Sequence, residues 1–440
     1  MAVSPLEDRY KTEMNAIFED KAKLGYWMAV EVALAHAHAK LGDIPKDAPS
    51  EIEKASKKVE LSRVLEIEAS THHDLMAMVK ALTEKCQGKS GAHVHLGATS
   101  YDIEDTATAL QFRDAIALIR KHSLELCKVL RSLAVAHKRT VCVGRTHGQH
   151  AVPTTYGMKF ALYYTEMRRN LERLDSALAR ISVGKMSGAT GTMATFWGKG
   201  RQIQALVMAE LGLQAAKVSN QVVQRDRHAE VLFVISLIGA TLEKIAKEIR
   251  NLQRSEIMEV AEPFASTQVG SSTMPQKRNP HKSERICSLA RVLRANVQTA
   301  LENIALEHER DLSNSANERY IFAESFITCD YMLKQTASIL SGLEFFPENI
   351  KRNLESSDGR VMAERVMIAL AKKGMGRQDA HEIIRAASIE SFRKNRPLLE
   401  VLSANKTVAK HLTRAELSKL FDYATYIGEA PQIVEEAAKE

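Results

Sequence analysis

Cysteine is scarce in this sequence and follows no pattern. The 440 residues include five cysteines, and no two of them form a Cys-x-x-Cys pair. Zinc binding through paired thiolates and dithiol redox chemistry are therefore not indicated. An odd, scattered set of thiols is typical of proteins in a reducing compartment. We accordingly expect a cytoplasmic location.

Long apolar runs are missing as well. The longest nearly uncharged run, residues 231–242, is shorter than the ~20 residues that cross a bilayer. The N-terminal segment lacks the apolar core of a secretion signal. The sequence thus predicts neither a membrane protein nor a secreted one.

Aromatic residues and runs of like charge are also few. Aromatics make up 5% of the chain, and the formal charge of +7 is not gathered in any long basic tract. Nucleic-acid binding usually needs such a concentrated basic surface. We therefore favour the alternative in which basic residues surround an anionic small-molecule substrate.

Proline and glycine are absent from long stretches. No proline occurs in residues 50–152, 154–262 or 281–346, and no glycine in residues 271–341. Because proline breaks helix interiors and glycine weakens them, these stretches predict unusually long helices. Residues 231–253 begin apolar on all sides and continue amphipathically, which favours a buried helix over a buried strand. Strand-like alternation is rare elsewhere, so we predict a mainly α fold.

Loop signals divide the chain into three predicted helical segments. A His-rich loop gives way to a new helix near residue 100, and turn residues interrupt the pattern near residue 350. We predict an N-terminal helical domain of residues 1–100, a central long-helix bundle domain of residues 101–350 and a C-terminal helical domain of residues 351–440.

Some segments carry more polar residues than helix connections need: residues 71–74, 93–102, 144–150 and 270–280. The His-x-His in the second segment admits a zinc hydrolase, although no His-Glu-x-x-His helix accompanies it.

The third segment is either a glycine-terminated helix end or a functional loop. In such a loop Arg145 would support an anion, and His147 or His150 would transfer a proton. The fourth is either solvated surface or a carboxylate-binding loop stiffened by prolines.

The fourth segment resembles the signature of a known superfamily. Gly270-Ser271-Ser272-x-Met274-Pro275-x-Lys277-x-Asn279-Pro280 is similar to the signature of the fumarase/aspartase superfamily. Further motifs resemble the adenylosuccinate lyase family in order and spacing. They are Ser4-Pro5-Leu6-x-x-Arg9-Tyr10, His73-Asp74, Thr99-Ser100-x-Asp102, Arg145-Thr146-His147-Gly148, Gln221, and Glu309-Arg310-Asp311 through Arg319. The resemblance covers nearly the whole chain.

The resemblance implies both a fold and a reaction. The implied fold has three mostly helical domains and forms a homotetramer whose active sites combine motifs from different subunits. The implied reaction is β-elimination of fumarate from adenylosuccinate, giving AMP, and from succinylaminoimidazole carboxamide ribotide (SAICAR to AICAR) in purine nucleotide biosynthesis. It needs no metal and no organic cofactor. Charge builds on a carboxylate after proton abstraction, and one preorganised donor there is worth roughly 3 kcal/mol.

The resemblance also implies catalytic roles. Ser271 is the expected general base, with Ser272 as an open alternative, and His147 is the expected acid. A serine hydroxyl is a poor base unless donors stabilise its alkoxide and water is excluded. Lys277 and Asn279 are expected to hold the charge that develops on the carboxylate, and His73 to act beside His147.

Substrate-binding roles follow in the same way. The nucleotide end, chiefly its phosphate, is assigned to Arg9, Tyr10, Arg310, Ser315 and Arg319, and the succinyl carboxylates to Thr99, Ser100 and Gln221. Asp74 and His72 are expected beside the acid. His72 stands where arginine or lysine is common, which is a departure from the family pattern.

Two other functions compete with this interpretation. One is a different superfamily enzyme, argininosuccinate lyase or 3-carboxymuconate cycloisomerase, against which the motif ending in Arg9-Tyr10 argues. The other is a non-catalytic helical scaffold. The intact His147, Ser271 and Lys277 argue against a scaffold.

Overall fold

The computed structural model describes residues 4–264, 267 and 270–439. It is 65% helix and 5% strand, which confirms the predicted mainly α fold. The first helices are α1 (Asn15–Phe18), α2 (Asp20–Lys40), α3 (Ala48–Ser56), α4 (Leu61–Thr71), α5 (Asp74–Lys85), α6 (Ser100–Ala136), α7 (Tyr156–Ile181), α8 (Gly200–Leu211) and α9 (Asp226–Leu252). They are followed by α10 (His281–Glu302), α11 (Ser315–Ser341), α12 (Pro347–Glu355), α13 (Ala363–Lys372), α14 (Arg377–Lys394), α15 (Leu398–Ser403), α16 (Lys406–Ala409), α17 (Arg414–Lys419) and α18 (Ala430–Ala437).

The strands are short and pair two by two. They are β1 (Val141–Thr146), β2 (Gln149–Thr155), β3 (Val183–Gly184), β4 (Gln214–Ala215), β5 (Val260–Ala261) and β6 (Glu344–Phe345). β1 pairs antiparallel with β2, β3 parallel with β4, and β5 antiparallel with β6. The parallel pair joins only two residues of each strand, so it adds no βαβ layer to the helical fold.

The longest helices occupy the stretches that lack proline. α6 has 37 residues, α9 and α11 have 27 each, and α7 has 26. α9 covers nearly all of the predicted helix at residues 231–253. The prediction of unusually long helices is therefore confirmed.

The described residues fall into two compact units. Unit 1 comprises residues up to 124, 169–242 and 288–334, and unit 2 comprises residues 125–168, 243–287 and 335 onward. The division into three domains, which follows chain order, stays a prediction.

In unit 1 the long helices pack through aromatic rings and close contacts. Phe112 of α6 meets the edges of Phe322 and Phe326 of α11, with ring centroids 4.9 and 5.0 Å apart. A Cβ at Gly239 of α9 would lie 2.6 Å from the Leu293 Cδ1 atom of α10, so glycine permits the close approach of these helices. α2, α3, α5 and α8 enclose a further hydrophobic core of this unit.

Unit 2 contains the β1–β2 hairpin and the C-terminal helices. The hairpin packs on α12, where Val143, Leu354 and Met362 share a small core. Helices α13 to α17 enclose a separate core of this unit. The hairpin was not expected from the sequence, because Pro153 and glycines interrupt its strand pattern. A two-stranded ribbon tolerates Pro153 at an edge position.

Candidate active site

A polar cleft of about 510 Å³ lies in unit 1. We call it the unit 1 cleft, and it is lined by Glu68, His72, His73, Asp74, Thr99, Ser100, Tyr101, Glu104, Gln221, Arg310, Leu312, Ser315 and Arg319. Nine of these residues were predicted site residues from four separate parts of the sequence: His72, His73, Asp74, Thr99, Ser100, Gln221, Arg310, Ser315 and Arg319. The structure therefore brings a large part of the predicted site together within one unit.

Helix N-termini surround the unit 1 cleft. Asp74 begins α5, Ser100 begins α6 and Ser315 begins α11. Unpaired N–H groups and the helix dipole make such ends favourable for anions. The unit 1 cleft is thus suited to a ligand with several negative charges.

The two histidines at the α4–α5 junction, His72 and His73, cap different helices. His72 ends α4 in a left-handed conformation, with φ of 53°. His73 caps α5 by accepting a hydrogen bond at Nδ1 from the Met76 N–H at 3.4 Å. Its Nε2 atom lies 3.5 Å from the Ser100 Oγ atom. This junction places both imidazoles at the edge of the cleft.

A buried carboxylate holds the Thr99–Ser100 segment in place. Asp102 is fully buried and accepts hydrogen bonds from the backbone N–H groups of Thr99, Ser187 and Gly188 at 2.8–3.0 Å. The equally buried Lys185 forms an ion pair with it. Because an unpaired charge is costly in a protein interior, Asp102 and Lys185 stay paired. The paired Asp102 in turn holds the Thr99 N–H at the start of α6.

Arg310 presents unused donors to the cleft. Its Nη1 donates to the Gln221 Oε1 atom at 3.0 Å, and its guanidinium lies 3.7 Å from the centre of the Tyr101 ring. Its Nε and Nη2 atoms are buried and have no hydrogen-bond partner among the described residues. A planar fork with free donors matches a carboxylate or a phosphate.

Asp74, another residue of the cleft, contacts two cations. Its Oδ2 atom lies 2.7 Å from Arg319 Nη2 and 4.0 Å from Lys23 Nζ. Burial opposes ionisation of Asp74, but hydrogen bonds from Arg319 and the Leu75 N–H hold its pKa below the usual value. The pKa of Arg319 is correspondingly raised by this hydrogen bond.

Arg9 and Tyr10 do not line the unit 1 cleft. Arg9 is exposed, and the Tyr10 ring packs on that of Tyr331 with centroids 5.0 Å apart. Their assignment to the phosphate stays a prediction.

His147 lies at the tip of the hairpin in unit 2. Thr146 pairs with Gln149, so the loop consists of His147 and Gly148, with φ of 53° and 74°. Positive φ at both positions is the geometry of a type I′ turn, which suits the twist of a hairpin. The segment is therefore not a helix end, and its role as a functional loop stays a prediction. The turn leaves the imidazole exposed, where it can meet a ligand.

Arg145, in the same hairpin, is held by a buried carboxylate. Its Nη2 atom lies 2.5 Å from the Glu259 Oε1 atom, and Tyr156 and Asn353 also donate to Glu259. Glu259 is fully buried. Arg145 thus holds the hairpin through Nη2. Its Nη1 atom is buried and has no hydrogen-bond partner among the described residues, so the expectation that Arg145 supports an anion stays a prediction. His150 lies 3.5 Å from the Ser356 Oγ atom.

The signature loop of unit 2 is fastened at its ends and exposed at its centre. Asn279 Nδ2 donates to the Gly270 carbonyl at 2.8 Å, and Gln253 Nε2 donates to the Arg278 carbonyl at 3.0 Å. A Cβ at Gly270 would clash with the Lys277 carbonyl, so glycine is needed there for this close approach.

The catalytic candidates of the loop lie in its exposed part. Ser271 Oγ accepts hydrogen bonds from the N–H groups of Thr273 and Met274 at 3.4 and 3.1 Å. The Ser272 and Lys277 side chains are exposed. Backbone donors thus already point at the Ser271 oxygen, an arrangement that would stabilise an alkoxide.

Sequence reasoning missed Tyr101 and Glu104 as residues of the cleft. Both lie on the first turns of α6, and Glu104 follows Ser100 by four residues. Residues four apart share a helix face, so this spacing was the available signal.

One histidine of the His-x-His pair is already bound to a carboxylate. His95 Nδ1 lies 2.7 Å from the buried Glu31 carboxylate. Within residues 4–264, 267 and 270–439, no three His, Cys, Asp or Glu side chains are grouped to hold a metal ion. The same residues include no helix long and apolar enough to span a membrane.

Comparison with known proteins reveals relatives along nearly the whole chain. A model of the lyase family matches residues 8–294, and a model of the adenylosuccinate lyase C-terminus matches residues 359–437. The adenylosuccinate lyase of Pyrococcus abyssi is 54% identical over 438 residues, which cover 99% of this chain and 97% of that protein. The adenylosuccinate lyase of Bacillus subtilis is 40% identical over 429 residues, 97% of this chain and 98% of that protein.

Solved structures share the fold. A fumarate lyase from Mesorhizobium sp. BNC1 superposes with a TM-score of 0.90 at 32% identity, covering 97% of both chains. The 3-carboxy-cis,cis-muconate lactonizing enzyme of Pseudomonas putida gives a TM-score of 0.91 at 32% identity, covering 99% of this chain and 98% of that one. With a family model over more than half of its length and full-length relatives of one name, the chain belongs to the lyase family and, within it, to the adenylosuccinate lyases.

Proposed function

We propose that this protein eliminates fumarate from adenylosuccinate to leave AMP. The observation that carries the proposal is the buried guanidinium of Arg310, which has free donors at Nε and Nη2 in a cleft lined by helix N-termini. Adenylosuccinate brings a phosphate and two carboxylates, and such a multiply charged ligand offers acceptors for these donors.

The residues of the unit 1 cleft divide between the two ends of the substrate. Arg310, Ser315 and Arg319 bind the nucleotide end, and Thr99, Ser100 and Gln221 hold the succinyl carboxylates. Two observations support this division. All six residues line one cleft, and the hydrogen bond of 3.0 Å between Arg310 and Gln221 holds a charged and a neutral group side by side. His73 and Asp74 contact Ser100 and Arg319 in the same cleft, and we assign to them the role of orienting the acid.

The reaction itself falls to residues of unit 2. Ser271 removes the proton next to the succinyl carboxylate, and His147 protonates the departing purine nitrogen. Lys277 and Asn279 stabilise the charge that develops on the carboxylate. Each proton transfer of this kind is worth about 10² to 10⁴ in rate. The same elimination applies to SAICAR. Both reactions belong to purine nucleotide biosynthesis, and neither needs a metal or an organic cofactor.

The five cysteines support a cytoplasmic location for this reaction. All five are free thiols, and four of them are buried. Such thiols persist in a reducing compartment.

The function is tested by following adenylosuccinate by ultraviolet absorbance. We expect purified protein to release AMP and fumarate, and Arg310→Met to lower kcat/KM by roughly 30- to 1,000-fold, about 2–4 kcal/mol of lost charge-assisted binding. Arg120→Met is the matched control, because Arg120 is an exposed arginine of unit 1 paired with Asp175. Cleavage of argininosuccinate in place of adenylosuccinate would show that the substrate is wrong.

We further propose that the protein is a homotetramer whose active sites combine residues of different chains. The support is the family resemblance. Ser271→Ala and His147→Ala proteins, each nearly inactive, should recover part of the activity when they are mixed, dissociated and reassembled, because some sites then hold both native residues. Each variant reassembled alone is the control. A mixture no more active than the controls would contradict shared sites.

A further inference from the structure

Glu104 lies where the unit 1 cleft meets a second cavity of the same unit. This second cavity has a volume of about 250 Å³, and Glu104, Tyr101, Ser315 and Arg319 line both spaces. Glu104 is one helical turn along α6 from Ser100, so its side chain lies on the same face of the helix. A ligand held by Arg319 would therefore lie near the Glu104 side chain.

The Glu104 carboxyl has no partner among the described residues, although cations surround it. Arg319 is paired with Asp74 at 2.7 Å. Arg225 is likewise engaged, because it is buried between Asp105 and Glu318.

The charged and titratable groups around Glu104 come from every neighbouring element: Asp20, Lys23 and Tyr26 of α2, Glu68 of α4, His72 and His73 at the α4–α5 junction, Asp74 of α5, Tyr101 and Asp105 of α6, Arg225 before α9, Arg310, and Glu318 and Arg319 of α11. Carboxyl groups outnumber lysine and arginine in this set. A charged Glu104 would therefore raise the count to six carboxylates against four cations, and this added negative charge would repel an anionic ligand.

Protonation of Glu104 lessens this repulsion. Burial, together with the nearby Asp74 carboxylate and only partly offset by Lys23, raises the pKa of Glu104 to about 8. At neutral pH the group is mostly the uncharged acid, which carries an O–H donor.

We propose that Glu104 is a ligand-binding residue that donates the O–H of its uncharged carboxylic acid to an anionic oxygen of the substrate held by Arg310 and Arg319. The inference rests on the proposed function for the identity of that substrate. Glu104 donates this hydrogen bond only while it is protonated. Binding is therefore favoured below the pKa of Glu104 and weakens as pH rises through that pKa. An acid thus serves in an anion site without repelling the anion.

The test measures binding of the two products, AMP and fumarate, by calorimetry at pH 7 and pH 9. If only the protonated form binds, a pKa near 8 predicts that the Kd of the contacted product rises about tenfold over this range. In Glu104→Gln, whose amide donates at every pH, the rise should fall below about twofold. A rise for AMP alone assigns the contact to the phosphate, and a rise for fumarate alone assigns it to a carboxylate. Equal rises in wild type and Glu104→Gln for both products overturn the proposal.

Two neighbours require controls. Glu68→Gln removes another carboxyl of the cleft and should keep the wild-type pH dependence. Burial and the charge of Arg319 lower the pKa of Lys23, so loss of its charge would also weaken binding at high pH. The contribution of Lys23 persists in Glu104→Gln, so comparing this variant with the wild type separates it from the contribution of Glu104. Burial raises the pKa of Tyr101 to about 12, outside the range measured.

Infrared spectroscopy tests the same proposal without a ligand. The wild-type chain should show a protonated-carboxyl band at pH 7 that is lost by pH 9 and is absent from Glu104→Gln. An ionised Glu104 at pH 7 would overturn the proposal. If AMP binds with the expected pH dependence but adenylosuccinate is not cleaved, the proposed function fails while the role of Glu104 stands.

Discussion

Replacing Ser271 by alanine is expected to lower kcat by about 10² to 10⁴, the contribution of a positioned general base. The Ser271 hydroxyl accepts hydrogen bonds from two backbone N–H groups of its own loop. These donors would stabilise an alkoxide, which is what a serine needs to act as a base. Ser271 is only partly buried and its hydroxyl bonds within its own loop, so the change should alter the free energy of unfolding little.

The neighbouring serine provides the matched control. Ser272 is exposed in the same loop and belongs to the same signature, and Ser272→Ala should retain activity within about tenfold if Ser271 is the base. Steady-state kinetics with adenylosuccinate, alongside unfolding curves for both variants, give the comparison. A larger loss of kcat in Ser272→Ala than in Ser271→Ala would reverse the assignment.

Replacing Asp102 by asparagine is expected to destabilise the fold by about 3–5 kcal/mol, because Lys185 then stays buried without a counter-charge. Both side chains of this pair are fully buried. Asp102 also accepts the N–H groups of Thr99, Ser187 and Gly188, so the start of α6 should loosen and substrate binding should weaken as well. Urea unfolding at a fixed protein concentration measures the loss of stability.

An exposed ion pair of the same unit sets the baseline for that measurement. Asp175 pairs with Arg120 at 2.8 Å with both side chains about half exposed, so Asp175→Asn should change the free energy of unfolding by about 0–1 kcal/mol. Adding Lys185→Met to Asp102→Asn removes the unpaired charge and should restore part of the stability. A loss in Asp102→Asn no greater than in Asp175→Asn would show that the buried pair does not anchor α6.

The fold class could be predicted because helix formation depends on local chemistry. The stretches without proline became α6, α7, α9, α10 and α11, and the apolar run at residues 231–242 lies inside α9. The β1–β2 hairpin could not be predicted in this way. Its strands are short, and its turn depends on His147 adopting the positive φ that glycine normally supplies.

The candidate site was predictable in its residue types and less so in its contacts. Arg310 and Gln221 were both named from motifs, but their hydrogen bond joins residues 89 positions apart in the chain. Arg145 shows the same limit, since its motif did not indicate that one Nη atom binds the buried Glu259 while the other has no hydrogen-bond partner among the described residues. Which cation is paired and which has free donors depends on its neighbours in space, and local sequence does not contain them.

The sequence by itself determined the helical class, the long helices and the superfamily signature, because helix propensity and motif spacing are properties of neighbouring residues. Only the tertiary structure decided which motif residues share the unit 1 cleft, which carboxylates are buried as anchors, and that Glu104 has no hydrogen-bond or ion-pair partner in the described part of the chain. Burial and charge pairing arise when distant segments meet, and they set the cost of each ionised group. The raised pKa of Glu104 therefore results from the fold.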